Sequence, residues 1–179
     1  MGFRSTPGRR RYILTVMTAT VLGALVATSI AHAGTKLLGV YKDWTAQTYT
    51  HNGASVCMMW SQPQKAEGNY TARGEIYVFV THRPAQKRLN EIRFESGYPF
   101  KAGTEVDVTI GDQHFTLSTD ATTAWSNSAP QAQKMVQSMR AGRSMVVEGI
   151  SRRGTHTTDT YSLQGFTAAH KAINRACAP

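Results

Sequence analysis

Two short basic stretches contain the residues with the clearest capacity to bind a ligand. Guanidinium and ammonium groups hold the oxygen atoms of carboxylate, sulfate and phosphate through charge-assisted hydrogen bonds. We therefore predict a surface for an anionic partner. The alternative is that both stretches are solvated loops that keep the edges of a sheet soluble. The candidate residues are Arg83, Lys87 and Arg88 in the first stretch, and Arg143, Arg152 and Arg153 in the second.

The histidines show no spacing that indicates a metal site or a catalytic set. None lies at the short interval of a metal-binding pair, and none is close to a cysteine. The sequence also contains no G-x-S-x-G motif, no glycine-rich phosphate loop and no pair of carboxylates marked by its context. We therefore expect no catalytic residue, no metal and no cofactor. Histidines 82, 114 and 156 fall at predicted strand ends or turns, where we expect them to be exposed.

The amino-terminal segment has the three parts of a secretory signal. Residues 1–33 contain a basic head with four arginines, the uncharged run Tyr12–Ile30, and the small residues Ala31 and Ala33. Cleavage before Gly34 is the prediction, and an uncleaved membrane anchor is the alternative. After cleavage we expect no transmembrane segment.

The predicted mature chain, residues 34–179, has the length of one domain. The whole chain carries a formal charge of +9, and removing four arginines from it leaves +5. This mildly basic charge favours contact with acidic lipid or polysaccharide, whereas a nucleic-acid binder would show a denser basic stripe. Nucleic acid is therefore not an expected partner.

Cys57 and Cys177 are the only cysteines of the sequence. An even pair in an exported protein is most simply a disulfide. The alternative is two buried free thiols. We predict the disulfide, which would attach the end of the chain to a strand near its beginning.

Most of the mature sequence has the pattern of β-strands. Strong strand patterns occur at 56–60, 76–80 and 92–94. Two hairpins are predicted, one over 106–117 and one over 145–163, the second with arginines at its tip. Loops are expected at Glu67–Asn69 and Ser96–Thr104.

Two helices are predicted among these strands. Ser128 and Gln131 have the spacing of a capping box at the start of the first helix, and Gly142 supplies its end. The second begins near Thr167, and its apolar stripe is Ala169, Ala172, Ile173 and Ala176. The expected fold is mainly β, a single antiparallel β-sandwich or barrel-like domain with two short helices.

Asp159 falls on the predicted inward face of a strand. It alternates with Tyr161, and a carboxylate on that face requires hydrogen-bond donors. Arg152, Arg153 or loop amides are the expected donors. We interpret Asp159 as a structural residue that fixes the hairpin against the last helix.

Several motifs, taken in their order and spacing, carry a resemblance to one family. They are Arg83-Pro84, Asn90–Ile92, Ser96–Lys101, Phe115–Leu117, Ala124-Trp125, Met145–Val147, Ser151–Thr155, Thr158–Leu163, Gly165–Ala169 and Cys177. On these, from about Trp44 to Cys177, the chain resembles the invasion-associated locus B family. The resemblance implies an exported protein with one β-rich domain, and it brings no catalytic residues to this sequence.

The predicted function is that of an exported, non-enzymatic envelope or surface-associated protein that binds a partner. The partner is an unknown protein, lipid or polysaccharide in the envelope or on a host surface. The expected location is the periplasm, the outer envelope or the medium. Two alternatives stay open: an extracytoplasmic hydrolase of envelope or host polymers, and a structural factor in envelope integrity.

Overall fold

The structure, a computed structural model, describes residues 1–2 and 34–177. The predicted signal segment, 1–33, lies almost entirely outside the described residues. All the helices and strands below belong to the compact unit His32–Pro179. Within the described part of the chain, no helix is long and apolar enough to cross a membrane.

The described residues contain eleven strands, β1 Lys36–Tyr41, β2 Trp44–His51, β3 Ala54–Ser61, β4 Lys65–Gly68, β5 Tyr77–Arg83, β6 Arg88–Glu95, β7 Val106–Ile110, β8 Gln113–Asp120, β9 Thr123–Trp125, β10 Ser144–Ile150 and β11 His156–Ser162. They are antiparallel and form one continuous sheet in the order β1-β2-β3-β5-β6-β9-β8-β7-β10-β11-β4. In the same part of the chain, two α-helices and a short 3₁₀ turn, Pro84–Gln86, complete the fold. The predicted mainly β fold with two helices is therefore confirmed.

Alternation of apolar and polar residues explains the two predicted hairpins. In β7, Val106, Val108 and Ile110 are buried, and the residues between them are more exposed. Gly111 follows with a φ of +57°, a left-handed conformation that glycine adopts without steric cost. The second hairpin pairs Ser144 through Ile150 of β10 with β11 in unbroken register. Both hairpins are confirmed.

The sheet curls so that its inner face encloses the hydrophobic core. Phe94 of β6 meets Tyr161 of β11 with ring centroids 6.1 Å apart, although four strands separate them in the sheet. Trp44 of β2 is fully buried, and its indole Nε1–H donates to the Ser162 carbonyl at 3.0 Å. These contacts hold the two halves of the sheet together over one core.

The first helix, α1 Ala129–Ala141, has the capping expected from its sequence. The Ser128 hydroxyl accepts from the Gln131 backbone N–H, and Gly142 follows the last turn. Met135, Val136 and Met139 are buried against the sheet.

The second helix, α2 Phe166–Cys177, packs against β1, β2, β3 and β5. Ala169, Ala172 and Ile173 are buried as predicted, but Ala176 is exposed. The predicted apolar stripe of α2 therefore ends at Ile173, one turn early, and Cys177 is the buried residue in the last turn. Its sulfur is bonded to that of Cys57 on β3, with the Cα atoms 5.9 Å apart, which confirms the predicted disulfide.

One predicted loop is wrong. Residues Glu67 and Gly68 belong to β4, which pairs with the outer edge of β11. All four residues of β4 are exposed, so the strand has no apolar alternation and is held by its backbone hydrogen bonds.

Candidate functional site

Two basic clefts lie on separate parts of the surface. The first, the tip cleft, is a cavity of about 650 Å³ beside the tip of the β10–β11 hairpin. Its walls are the loop 69–74, the turn 97–99 and the hairpin tip 151–155. Hydroxyl, amide and aromatic groups line it together with three arginines, namely Arg73, Arg152 and Arg153.

A buried ion pair underlies the tip cleft. The Arg73 guanidinium donates through both Nη atoms to the two Asp159 oxygens, at 2.7 and 2.6 Å. Only 4% of the Arg73 side chain and 6% of the Asp159 side chain are exposed. Asp159 does face inward as predicted, but its partner is Arg73 and not Arg152, Arg153 or loop amides. The pair therefore ties β11 to the loop before β5, and not to the last helix.

Aromatic rings and tight backbone contacts hold Arg73 in place. Its guanidinium carbon lies 4.9 Å from the centre of the Tyr98 ring and 5.5 Å from that of Tyr70. Its Nε donates to the Ser96 carbonyl at 2.7 Å. Gly97 has a φ of +72°, and a Cβ there would lie 2.4 Å from the Gly74 carbonyl oxygen. The two loops approach each other so closely that only glycine fits at this position.

The charge on Arg73 is already matched inside the protein. Burial raises the pKa of Asp159, and the contact with Arg73 opposes that rise. Burial also lowers the pKa of Arg73, but Asp159 outweighs this effect and leaves that pKa raised. The positive charge that the tip cleft offers to a ligand therefore comes from Arg152 and Arg153. Both are exposed, and neither makes an ion pair within the described residues.

The predicted anionic-partner residues do not form one surface. Arg143 precedes β10, whereas Arg152 and Arg153 follow it. The seven residues of β10 separate them by roughly 20 Å, because a strand rises about 3.3 Å per residue. Arg83 and Arg88 lie at the second cleft, and Lys87 is exposed beside them at the end of the 3₁₀ turn.

The second cleft, the outer-face cleft, is a cavity of about 550 Å³ on the outward face of the sheet. Arg83 and Arg88 both bind the Glu91 carboxylate, Arg83 at 3.2 Å. Arg93 has a looser contact of 3.5 Å with Glu95. The residues that line this cleft include Tyr49 of β2, Met58 of β3, Arg83 of β5, Arg88, Glu91 and Arg93 of β6, and Trp125 of β9.

An aromatic row runs across the same face. The guanidinium carbon of Arg93 lies 4.3 Å from the Phe79 ring centre and 5.6 Å from that of Trp125. The row extends from Phe79 to Tyr77 and from Tyr77 to Trp60, and the ring centroids of each neighbouring pair are 5.6 Å apart. Trp125 is 40% exposed at the rim. Arg93 is thus held between two rings with part of its donor set free.

His82 is not exposed, which corrects the expectation from its place near a strand end. It is 1% exposed and belongs to a closed set of hydrogen bonds, the histidine–asparagine ring. The Asn90 backbone N–H donates to His82 Nδ1, and His82 Nε2 donates to Asn174 Oδ1. Asn174 Nδ2 donates to His170 Nδ1, and His170 Nε2 donates to Asn90 Oδ1. In this arrangement the Nδ1 atom of each imidazole accepts a hydrogen bond and the Nε2 atom donates one.

The surroundings of His170 disfavour its protonated form. Burial, with smaller contributions from His82 and Arg140, lowers the pKa of His170 to about 4. His114 and His156 are exposed as expected. In the described part of the chain, no group of three or more His, Cys, Asp or Glu side chains is arranged to hold a metal ion.

The fold and the two clefts define a class of protein: an antiparallel β domain with basic, aromatic-lined clefts and a disulfide that anchors its last helix. The sequence model described as "Invasion associated locus B (IalB) protein" matches residues 44–174. The chain therefore belongs to the invasion-associated locus B family.

A solved structure confirms the fold. The chain is similar to the crystal structure of invasion associated protein B from Bartonella henselae, with a TM-score of 0.55 and 14% sequence identity. The match covers 77% of this chain and 95% of that one. A search of curated proteins finds no match.

Proposed function

We propose that this member of the invasion-associated locus B family is an exported, non-enzymatic envelope or surface protein that binds an anionic partner at the tip cleft. One observation carries the proposal. Arg152 and Arg153 line a cleft and make no ion pair among the described residues, whereas the third arginine of that cleft, Arg73, is already neutralised by Asp159. Two unmatched guanidinium groups above aromatic walls are suited to carboxylate, sulfate or phosphate oxygens.

The side chains at the cleft favour binding over catalysis. The Asp159 carboxylate is the buried partner of Arg73, so both of its oxygens are occupied. No histidine is among the described residues that line the tip cleft. His82 and His170 lie elsewhere and have every ring nitrogen bonded inside the protein. A general acid or base needs an accessible group within hydrogen-bond reach of the substrate. These three titratable groups do not meet that requirement.

Two observations support an extracytoplasmic location. The disulfide between Cys57 and Cys177 is typical of proteins that fold in an oxidising compartment. The sequence of residues 1–33 is typical of a secretory signal. We therefore place the mature protein in the periplasm, at the outer envelope or in the medium.

The test compares two variants that lose the same charge. Arg152→Gln with Arg153→Gln removes the free cations of the tip cleft, and Lys36→Gln with Lys171→Gln removes two exposed cations elsewhere. Purified proteins are titrated against envelope fractions of the producing cell, and retention is measured. We expect the arginine variant to bind about tenfold more weakly or worse, because charge-assisted bonds are lost. Equal retention of both variants would contradict the proposal.

The same incubation separates the alternatives. Release of soluble sugar or peptide from the envelope polymers would favour a hydrolase. A strain that lacks the protein, leaks periplasmic contents and is fully restored by the arginine variant would favour a structural role in envelope integrity.

A further inference from the structure

We propose that the outer-face cleft is a second binding site, and that its ligand is a polysaccharide with carboxylate groups. This site is independent of the proposed function, because no residue lines both clefts. It lies on the middle strands of the sheet, whereas the tip cleft lies at loops and a hairpin tip.

Charge at the cleft favours an acidic ligand. Arg83, Arg88 and Arg93 line it, and Glu91 is the one carboxylate among its described lining residues. Arg83 and Arg88 share that carboxylate. Because each guanidinium has five N–H donors and a carboxylate accepts about four hydrogen bonds, donors remain for a ligand. Carboxylates along a polysaccharide supply the matching acceptors.

The aromatic groups favour a sugar ring. Trp125 is 40% exposed, and Tyr49 and Met58 line the same cleft. An aromatic face carries partial negative charge and attracts the weakly positive C–H groups on one side of a pyranose ring. Arg93 lies between Phe79 and Trp125, so its guanidinium is oriented before a ligand arrives. A sugar ring stacked on an aromatic side chain, with its carboxylate beside an arginine, would satisfy both the aromatic groups and the guanidinium groups.

The position of the cleft disfavours a peptide or a membrane. Strands β3, β5 and β6 are each hydrogen-bonded on both sides, so a peptide strand finds no free edge there. Phe79, Tyr77 and Trp60 are only half-exposed, whereas membrane-binding side chains project into the lipid. From Tyr49 on β2 to Trp125 on β9 the face crosses five strands, about 19 Å at ordinary strand spacing. That width accommodates an extended carbohydrate chain.

Titration calorimetry with polygalacturonate tests the proposal, and the fully methyl-esterified polymer is the uncharged control. We expect the ester to bind at least about tenfold more weakly, because it lacks the carboxylates. Arg93→Gln should weaken polygalacturonate binding about tenfold, and Trp125→Ala about fivefold, whereas Trp125→Phe should stay close to wild type. Trp125 lies at the rim, so its variants should remain folded, and circular dichroism checks this.

Four outcomes would overturn the proposal. The first is equal binding of the acid and its ester. The second is unchanged binding by both Arg93→Gln and Trp125→Ala, with Arg83→Gln as the substitute if the Arg93 variant does not fold. The third is tighter binding of phosphatidylglycerol vesicles or polyglutamate. The fourth is a larger loss of polygalacturonate binding in Arg152→Gln with Arg153→Gln than in Arg93→Gln, which would place the ligand at the tip cleft instead. Lys36→Gln with Lys171→Gln, which removes two exposed cations that line neither cleft, is the charge control and should bind polygalacturonate like wild type.

Discussion

Asp159 faces the core because the side chains of β11 alternate, and Thr157 and Tyr161 on either side of it are buried too. A carboxylate in that position must be matched by donors. Arg73 matches it completely, with one guanidinium nitrogen on each oxygen. The inward direction of Asp159 is a local property of the strand and could be predicted from the sequence. Its partner lies 86 residues away in a loop without periodic pattern, so the sequence offered no signal for it.

We predict that Asp159→Ala lowers the free energy of unfolding by about 3–5 kcal/mol, because it leaves the Arg73 charge buried and unpaired. Urea unfolding followed by fluorescence measures the change. Asp107→Ala is the control, since Asp107 is exposed on β7 and should change stability by less than about 0.5 kcal/mol. If Asp159→Ala behaves like that control, the pair has no structural role.

A double variant separates the ion pair from the shape of the site. Arg73→Met with Asp159→Leu removes both charges and keeps much of the apolar volume. We expect it to recover most of the stability lost in Asp159→Ala, because a buried ion pair can often be replaced by apolar groups at little cost. A double variant less stable than Asp159→Ala would show that Arg73 contributes mainly through its contacts with Tyr70 and Tyr98.

At the scale of elements, strands with one buried face were predictable and strands held by their backbone were not. The apolar alternation of β7 and β8 and the cap at Ser128 follow from local rules. The exposed β4 has no such pattern. It forms because its backbone hydrogen-bonds to the edge of β11 that would otherwise be unpaired. The outer-face cleft was predicted only in its basic residues Arg83 and Arg88. Its aromatic part needs the sheet order that places β9 next to β6.

The disulfide attaches α2 to β3, and its removal should weaken that attachment. We predict that Cys57→Ser with Cys177→Ser lowers the free energy of unfolding by about 2–5 kcal/mol, the usual effect of losing a native bridge. Chemical unfolding measures it. The wild-type protein, unfolded without reductant, should show no titratable thiol. Two free thiols in that sample would contradict the disulfide.

The histidine–asparagine ring makes the packing of α2 depend on pH. The pKa of His170 is about 4 in the folded protein and about 6.5 in the unfolded chain. Between these values the unfolded chain binds a proton that the folded protein does not, so stability falls as the pH decreases. His82 on β5 and Arg140 on α1 are the groups that disfavour the charged form together with burial.

We predict a loss of up to about 3 kcal/mol between pH 6.5 and pH 4 from this residue. Urea unfolding across that range measures the slope. His170→Gln should flatten the slope, and His156→Gln, at an exposed position, should leave it unchanged. A slope that His170→Gln does not reduce would assign the acid sensitivity to other groups.

At the scale of the whole molecule, the basic groups of both clefts lie on the surface of a domain whose core is apolar. The curled sheet buries its inner face, so the groups that we propose to bind ligands lie on the outward face and at the loops. The basic residues could be found in the sequence, but their division between the two clefts depends on the fold. The separation of Arg143 from Arg152 by the length of β10 is the plainest case.

Export and oxidation should appear together in one measurement of the intact protein. We predict that protein purified from the native envelope or medium begins at Gly34 and has a mass roughly 2 Da below that of the reduced chain, the mass of two hydrogens. The predicted signal segment has four arginines, so its removal would also lower the formal charge from +9 to +5. High-resolution mass spectrometry before and after reduction checks both features, and a chain made in a reducing cytoplasm without residues 1–33 is the control. That control should have the reduced mass, because a cytoplasmic thiol pool keeps cysteines unpaired.

Native protein that still carries residues 1–33 would identify them as an anchor, and native protein with the reduced mass would mean that the Cys57–Cys177 bridge does not form in the cell.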